Sequence, residues 1–232
     1  MKILAVDTAT EACSAAVLHG VRVAHRYAEL GRGHSERILE MVDEVLEEMR
    51  LRLTELDAIA FGRGPGAFTG ARLAASVAQG LAFGAGLRVI PVSDLQALAQ
   101  RALDEASEPV SGVLAASDAR MGEVYWACYR RGAKGTADPV GPERVSAPES
   151  VALPAGLSTP LIGAGRAFRA YPQLSGQLRE VLGGIRDDLL PCATEVARIA
   201  TLELAAGRTF APEEARPVYL RDDVASPRPS RD

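Results

Sequence analysis

The residues able to do chemistry appear early. Asp7-Thr8-Ala9-Thr10 follows the apolar run KILAV. A carboxylate and two hydroxyls at the tip of a strand pair are the groups that direct phosphate or chelate its metal. The commoner use of such an Asp is a local bond within its own turn. Hairpins that grip phosphate carry glycine there so that backbone can approach, and here Ala9 stands instead. Asp118, with Arg120 and Glu123 nearby, carries the same two readings.

The second candidate is the loop FGRGPGAFTGAR, Phe61 to Arg72. It lacks the Lys of a GxxxxGK[ST] phosphate loop. Gly62-x-Gly64-x-x-Ala67 loosely fits a dinucleotide fingerprint. It does not lie in the first βαβ unit, however, and Asp94, the next acidic residue at a strand end, comes late for a ribose contact. A helix start can still bind an anion through its backbone N–H groups. The residues alone favour a structural corner, in which Gly64, Pro65 and Gly66 shape the turn and Gly70 allows close packing. Other centres are not supported. His19, His25 and His34 form no HxxxH or HExxH, no GxSxG elbow occurs, and Cys13, Cys128 and Cys192 have no activator nearby in sequence.

These groups need elements to position them. KILAVDT reads as a buried strand, and CSAAVLHG and VRVAHRYAEL complete a meander that turns at Gly20. SERILEMVDEVLEEMR puts Ile38, Val42, Val45 and Met49 on one helical stripe beside Leu39 and Leu46, with Ser35 as the expected N-cap. LDAIAFG, GARLAASVAQGLAFG, LRVIPV and DLQALAQRALDEA then read as strand, helix, strand and helix. In the second of these, Gly70, Ala74, Ala78 and Ala82 recur every four residues, with Ala71 and Ala75 alongside and Leu73, Val77 and Leu81 in a second row. We expect the large row to fill the layer against the protein's own sheet, because large side chains fill inter-layer cores. The small row then faces outward, where a second helix can approach closely.

The pattern ILAVDTATEACSAAVLHG returns as VLAASDARMGEVYWACYRRG: a strand ending in Asp, a turn, a second strand and a closing Gly, about half a chain later. A duplicated unit is therefore expected. Residues 132–160 are rich in Gly, Pro and Ser and read as loops with short strands. LIGAG reads as strand then turn. ATEVARIATLELAAG reads as a late helix capped by Thr194 and ended by Gly207.

With 232 residues, 47% hydrophobic and 24% charged, the chain is an ordinary globular protein of one large or two small domains. A net charge of -4 offers nucleic acid no strong pull. Scattered cysteines without CxxC, no signal peptide and no run of about 18 apolar residues lead to the expectation of a cytosolic protein without a membrane contact.

Four ordered motifs, MKILAVDTAT, GxGPGxFTGxR from Gly62 to Arg72, DARMGEVY from Asp118 to Tyr125, and PVYLR from Pro217 to Arg221, resemble those of the TsaB (YeaZ) family. The resemblance spans almost the whole chain. It implies an α/β actin-like ATPase (ASKHA) fold of two ribonuclease H-like βββαβα subdomains, the second reduced. These would be residues 1–103 and 104–223, with the late helix 193–206 packing back on the first and a disordered tail at 224–232. The implied role is that of a non-catalytic subunit in forming threonylcarbamoyl-adenosine at position 37 of tRNAs that read ANN codons.

The partners implied are the paralogue TsaD in a heterodimer, the ATPase TsaE, a second copy when the chain is alone, and tRNA only through the complex. TsaD holds its metal with an HxxxH pair, and Asp94 and Leu98 occupy those places here, so no metal is expected. The implied partner interface is the first two helices, through Arg37, Met41, Glu44, Gly70, Ala71, Ala74, Ala75 and Ala78. No cofactor is expected, and ATP or ADP would touch Asp7, Thr8, Thr10, Gly64 and Gly66 only weakly or at the complex interface. The rival readings are an ATP-dependent phosphotransferase or ATPase of the same fold and a dinucleotide enzyme using Gly62 to Ala67.

Overall fold

In the computed structural model, residues 1–107, 110–133 and 135–221 are described. The first strand, β1 (Lys2–Asp7), is apolar on both faces because it ends at the centre of a sheet covered on both sides. It pairs antiparallel with β2 (Ala12–His19), which pairs antiparallel with β3 (Arg22–Glu29). On its other side lie β4 (Ala58–Gly62) and β5 (Arg88–Val92), both parallel, giving the order β3-β2-β1-β4-β5. Strand alternation sends Leu4 and Val6 to one layer and Ile3 and Ala5 to the other.

The first layer is covered by α1 (His34–Met49) and α2 (Phe68–Ala85). Helix α1 buries Ile38, Met41, Val42, Val45 and Met49 and leaves Leu39 outside. Its start differs from expectation. Gly33, at φ 90°, occupies the cap with no side-chain bond, and Ser35 lies inside the helix. A ring nitrogen of His34 lies 3.0 Å from the Thr10 carbonyl oxygen and ties this end to the β1–β2 turn.

Helix α2 is turned opposite to expectation. Ala71, Ala74, Ala75, Ala78 and Ala82 are buried against the sheet, while Leu73, Val77 and Leu81 are only half-buried. The volume of this layer comes from Leu4, Ile59, Phe61 and the α1 side chains, so α2 must approach closely and presents methyl groups.

The second half repeats the plan. β6 (Gly112–Arg120), β7 (Glu123–Arg131), β8 (Ala137–Ser146), β9 (Leu161–Ala164) and β10 (Leu182–Arg186) form a sheet of order β10-β9-β6-β7-β8. Its antiparallel and parallel pairings match the first sheet strand for strand. The unit is reduced, because a single 3₁₀ turn at Pro148–Ser150 stands where the first half has α1. Two short helices, α4 (Ala167–Ala170) and α5 (Pro172–Leu178), link β9 to β10. The ten-residue β8 falls in the Gly- and Pro-rich region read as loops with short strands. Its prolines, Pro139 and Pro142, are tolerated because β8 is an edge strand, where some backbone N–H groups have no ladder partner.

The two helices that follow each unit change places. α3 (Asp94–Asp104) packs Leu95, Leu98, Ala99, Ala102 and Leu103 mainly on the second sheet. α6 (Ala193–Ala205) packs Val196, Ala197, Ile199 and Ala200 on the first. Thr194 is the second residue of α6, and Cys192 holds the cap position expected for it. Among the described residues, no helix is long and apolar enough to cross a membrane. The tail expected at 224–232 lies outside the described residues.

Candidate functional site

The β1–β2 turn and the loop between β4 and α2 are packed onto each other. Ala67 donates its N–H to the Ala9 carbonyl at 2.7 Å. The Thr8 hydroxyl donates to the Gly70 carbonyl at 2.7 Å. A Cβ on Gly66 would overlap the Ala9 carbonyl oxygen, and one on Gly70 would overlap that of Thr8. Glycine at these two positions is therefore required by the hairpin beneath, and the loop is a corner that sets the start of α2.

Asp7 is wholly buried and does not line the cleft beside it. One of its oxygens accepts the Ala9 N–H at 2.9 Å, a bond within its own turn. The other, Oδ2, has no partner. Its carboxyl lies against that of Asp94, the first residue of α3 and also buried. Asp94 Oδ2 accepts the Gly64 N–H, and Asp94 Oδ1 is unpartnered. Gly62 lies beneath both, and a Cβ there would sit 2.6 Å from Asp94 Oδ1 and 2.9 Å from Asp7 Oδ1. Burial pushes the Asp7 carboxyl up. Burial, and then repulsion from Asp7, pushes Asp94 well above the ordinary carboxylate range. Asp7 thus does not reach the cleft as a nucleotide contact would, and a buried Asp94 cannot serve a ribose.

Between the two sheets runs a cleft of about 660 Å³, lined by Thr8, Thr10, Gly66, Gly70, Ser117 and Arg166 among others. Gly64 lies outside this lining. Arginines of the second unit cross the cleft: Arg166 pairs with Glu29 and lies 3.8 Å from Glu11, and Arg120 lies 3.7 Å from Glu11. Elsewhere between the units, Arg63 makes a two-pronged pair with Glu143 at 3.1 Å on each branch. The carboxylate of Asp118 is engaged by the Arg120 N–H at 2.7 Å and the Tyr171 hydroxyl at 2.9 Å.

The segment 217–221 straps the units together. The Val218 N–H donates to the Arg63 carbonyl at 2.7 Å, and Arg221 pairs with Glu123 in the second unit. Arg72 donates to the Tyr219 hydroxyl at 2.7 Å and lies 3.7 Å above the Phe68 ring. In the sequence, Pro217 to Arg221 carries the family resemblance, and no periodicity or charge run marks this strapping role.

The residues expected at a partner interface divide. Arg37 and Glu44 lie on the surface of α1 and pair with each other at 2.7 Å. Met41 faces the core, as do Ala71, Ala74, Ala75 and Ala78. Gly70 faces the hairpin. The outward side of α2 carries Ser76, Gly80 and Gly84 every four residues, with Phe83 beside them at 78% exposure. A Cβ on Gly80 or Gly84 would meet nothing within 4 Å. Phe83 was missed, although an aromatic flanked by Ala82 and Gly84 is a signal the sequence carries.

Three further buried groups bear on chemistry. Glu195 of α6 is buried with Oε2 unpartnered, and burial pushes its carboxyl up to about 7. Burial also raises the Cys13 thiol to about 11 and that of Cys128 to about 12, which disfavours thiolate chemistry there.

Residues 28–207 match the family model described as TsaD, tRNA N6-adenosine threonylcarbamoyltransferase. The chain is 44% identical over 228 residues to the tRNA threonylcarbamoyladenosine biosynthesis protein TsaB of Escherichia coli (strain K12), covering 97% of this chain and 96% of that protein. It is 39% identical over 232 residues to TsaB of Haemophilus influenzae, covering 97% and 95%. Among solved structures it is similar to YeaZ from Pseudomonas aeruginosa, with a TM-score of 0.84, 43% identity, and coverage of 94% of this chain and 99% of that one.

Proposed function

The chain belongs to the TsaB (YeaZ) family, and from this premise we propose that it acts in tRNA threonylcarbamoyladenosine biosynthesis as a non-catalytic activating subunit that binds TsaD and, through that pair, TsaE. The observation that carries the reading is the outward side of α2. Phe83 stands 78% exposed beside Gly80 and Gly84, whose open backbone lets another helix approach closely. The interface of this proposal is therefore the Ser76–Gly80–Phe83–Gly84 side, joined by Arg37 and Glu44 of α1, and not the buried alanine row.

The match to a transferase family model raises the question of catalysis. At the two positions matching the metal-binding HxxxH of TsaD, this chain has Asp94, buried against Asp7, and Leu98, packed in the second core. A leucine cannot ligate a metal, which supports the non-catalytic reading. Nucleotide is at most a weak ligand of the chain alone, because Asp7 is buried outside the cleft lining and Ala9, with its Cβ, stands in the hairpin turn where backbone would have to approach phosphate. The protein works in the cytoplasm, meets tRNA only within the complex, and pairs with itself through the same helices when TsaD is absent.

Gel filtration of the chain mixed with TsaD tests the proposal. A joint peak is expected, with transferase activity only in the mixture and no stoichiometric iron or zinc in the chain alone. Transfer by the isolated chain, or separate peaks at micromolar concentrations, would overturn it.

A further inference from the structure

Two carboxyl groups buried in contact carry a heavy electrostatic cost if both are ionised, because each loses hydration and each repels the other. Asp7 and Asp94 are in this situation at 0% and 2% exposure. Their paired oxygens already accept backbone N–H bonds, from Ala9 and Gly64. The two remaining oxygens, Asp7 Oδ2 and Asp94 Oδ1, have no partner. One hydrogen between the two groups would supply the missing donor and remove one of the two charges.

We infer that Asp7 and Asp94 hold a single shared proton at neutral pH, and that this proton pins the β4–α2 loop to the β1–β2 turn. One carboxyl belongs to β1 and fixes the turn through Ala9. The other belongs to α3 and fixes the loop through Gly64. The hydrogen bridges them above Gly62, where a side chain would collide with both. Losing the proton leaves two adjacent anions and pushes α3 and the loop away from β1. The start of α2 moves with that loop, so the proton controls the placement of the helix that carries Phe83.

The groups facing the pair from its surroundings are few. His34 of α1 and Arg63 of the loop favour the ionised forms, and Arg63 is committed to Glu143. The Cys13 thiol of β2 lies near Asp7 and is raised by burial first and by that carboxylate second. Among the described residues, no group of three or more His, Cys, Asp or Glu side chains could hold a metal ion.

The test uses the full chain in a Glu195→Gln background, so that Glu195 does not contribute a pH slope. Thermal melts between about pH 5 and 9 are expected to show stability falling as pH rises, because the folded pair keeps a proton that the unfolded chain releases. Asp94→Asn is expected to abolish that slope, since its amide can both accept from Gly64 and permanently donate to Asp7. Protection of the Gly64 and Ala9 amides from hydrogen exchange should fall at high pH in the parent and not in Asp94→Asn. An infrared band of a protonated carboxylic acid that shifts in heavy water should persist at neutral pH in the parent and vanish in Asp94→Asn. If the variant does not fold, the infrared titration of the parent decides alone. Absence of that band at neutral pH overturns the proposal. So does an unchanged pH slope in Asp94→Asn, or stabilisation of the parent by magnesium or manganese that the variant lacks.

Discussion

Thr8 donates its hydroxyl to the Gly70 carbonyl at 2.7 Å, and the backbones of these two residues are so close that Gly70 has no room for a side chain. This contact joins the tip of the first hairpin to the first turn of α2. Gly70→Ala is expected to destabilise the protein by at least about 3 kcal/mol, because the obstacle is a backbone carbonyl that cannot rotate away. At about 2–4 °C per kcal/mol for a chain of this size, the melting temperature should drop by several degrees or more. A variant that melts with the parent would show that the turn yields.

The two sides of α2 separate stability from assembly. Ala78 is fully buried, so Ala78→Arg places an unpaired charge in the core and is expected to unfold the chain, at a cost above about 4 kcal/mol. Gly80 is exposed with open space at its Cβ position. Gly80→Arg should melt at or slightly above the parent, because replacing a helical glycine gains about 0.5–1 kcal/mol. It should nonetheless fail to elute with TsaD. Circular dichroism melts and gel filtration of the two variants decide the matter. An Ala78→Arg protein that folds, or a Gly80→Arg protein that binds TsaD normally, would reverse the assignment of faces.

Glu195 predicts a pH dependence of its own. Its carboxyl is raised from 4.5 to about 7 by burial. Between those values the folded chain holds a proton that the unfolded chain has lost, so stability falls as pH climbs through that window and stays lower above it. Glu195→Gln should recover on the order of 2 kcal/mol above pH 7 and nothing below the ordinary carboxylate range. Urea titrations of both proteins at three pH values read this directly, and a gain of equal size at every pH would point to packing instead.

Calorimetry with ATP and the isolated chain should give a dissociation constant weaker than about 100 μM. At the hairpin tip that would approach phosphate, Ala9 carries a Cβ, and the Ala67 N–H of the facing loop is already committed to the Ala9 carbonyl. A low-micromolar constant would instead favour the phosphotransferase reading of the cleft.

Much of the architecture was legible in the residues. The apolar run KILAVDT and the turn at Gly20 placed the meander, and the repeated strand–Asp–turn–strand pattern announced a second unit that the matching sheet orders bear out. Glycines 64 to 70 read as a structural corner, and Gly66 and Gly70 meet backbone as that reading requires. β8 was not legible, because Pro139, Gly141 and Pro142 look like loop punctuation until the strand is known to lie at a sheet edge.

The sequence by itself determined which residues of α2 share a side: the alanines recur every four positions, and the leucine row lies beside them. Only the tertiary structure decided which side turns inward. Periodicity fixes relative angles around a helix axis, whereas orientation depends on the volume already supplied by Phe61, Ile59 and α1 in the same layer. The same holds for Asp7 and Asp94. Each could be read as a strand-end carboxylate, but their meeting requires β1, β4 and β5 to lie side by side and parallel, with both carboxyls reaching the end of β4 at Gly62. That is a property of strand order, and local sequence carries no record of the distance between two strand ends.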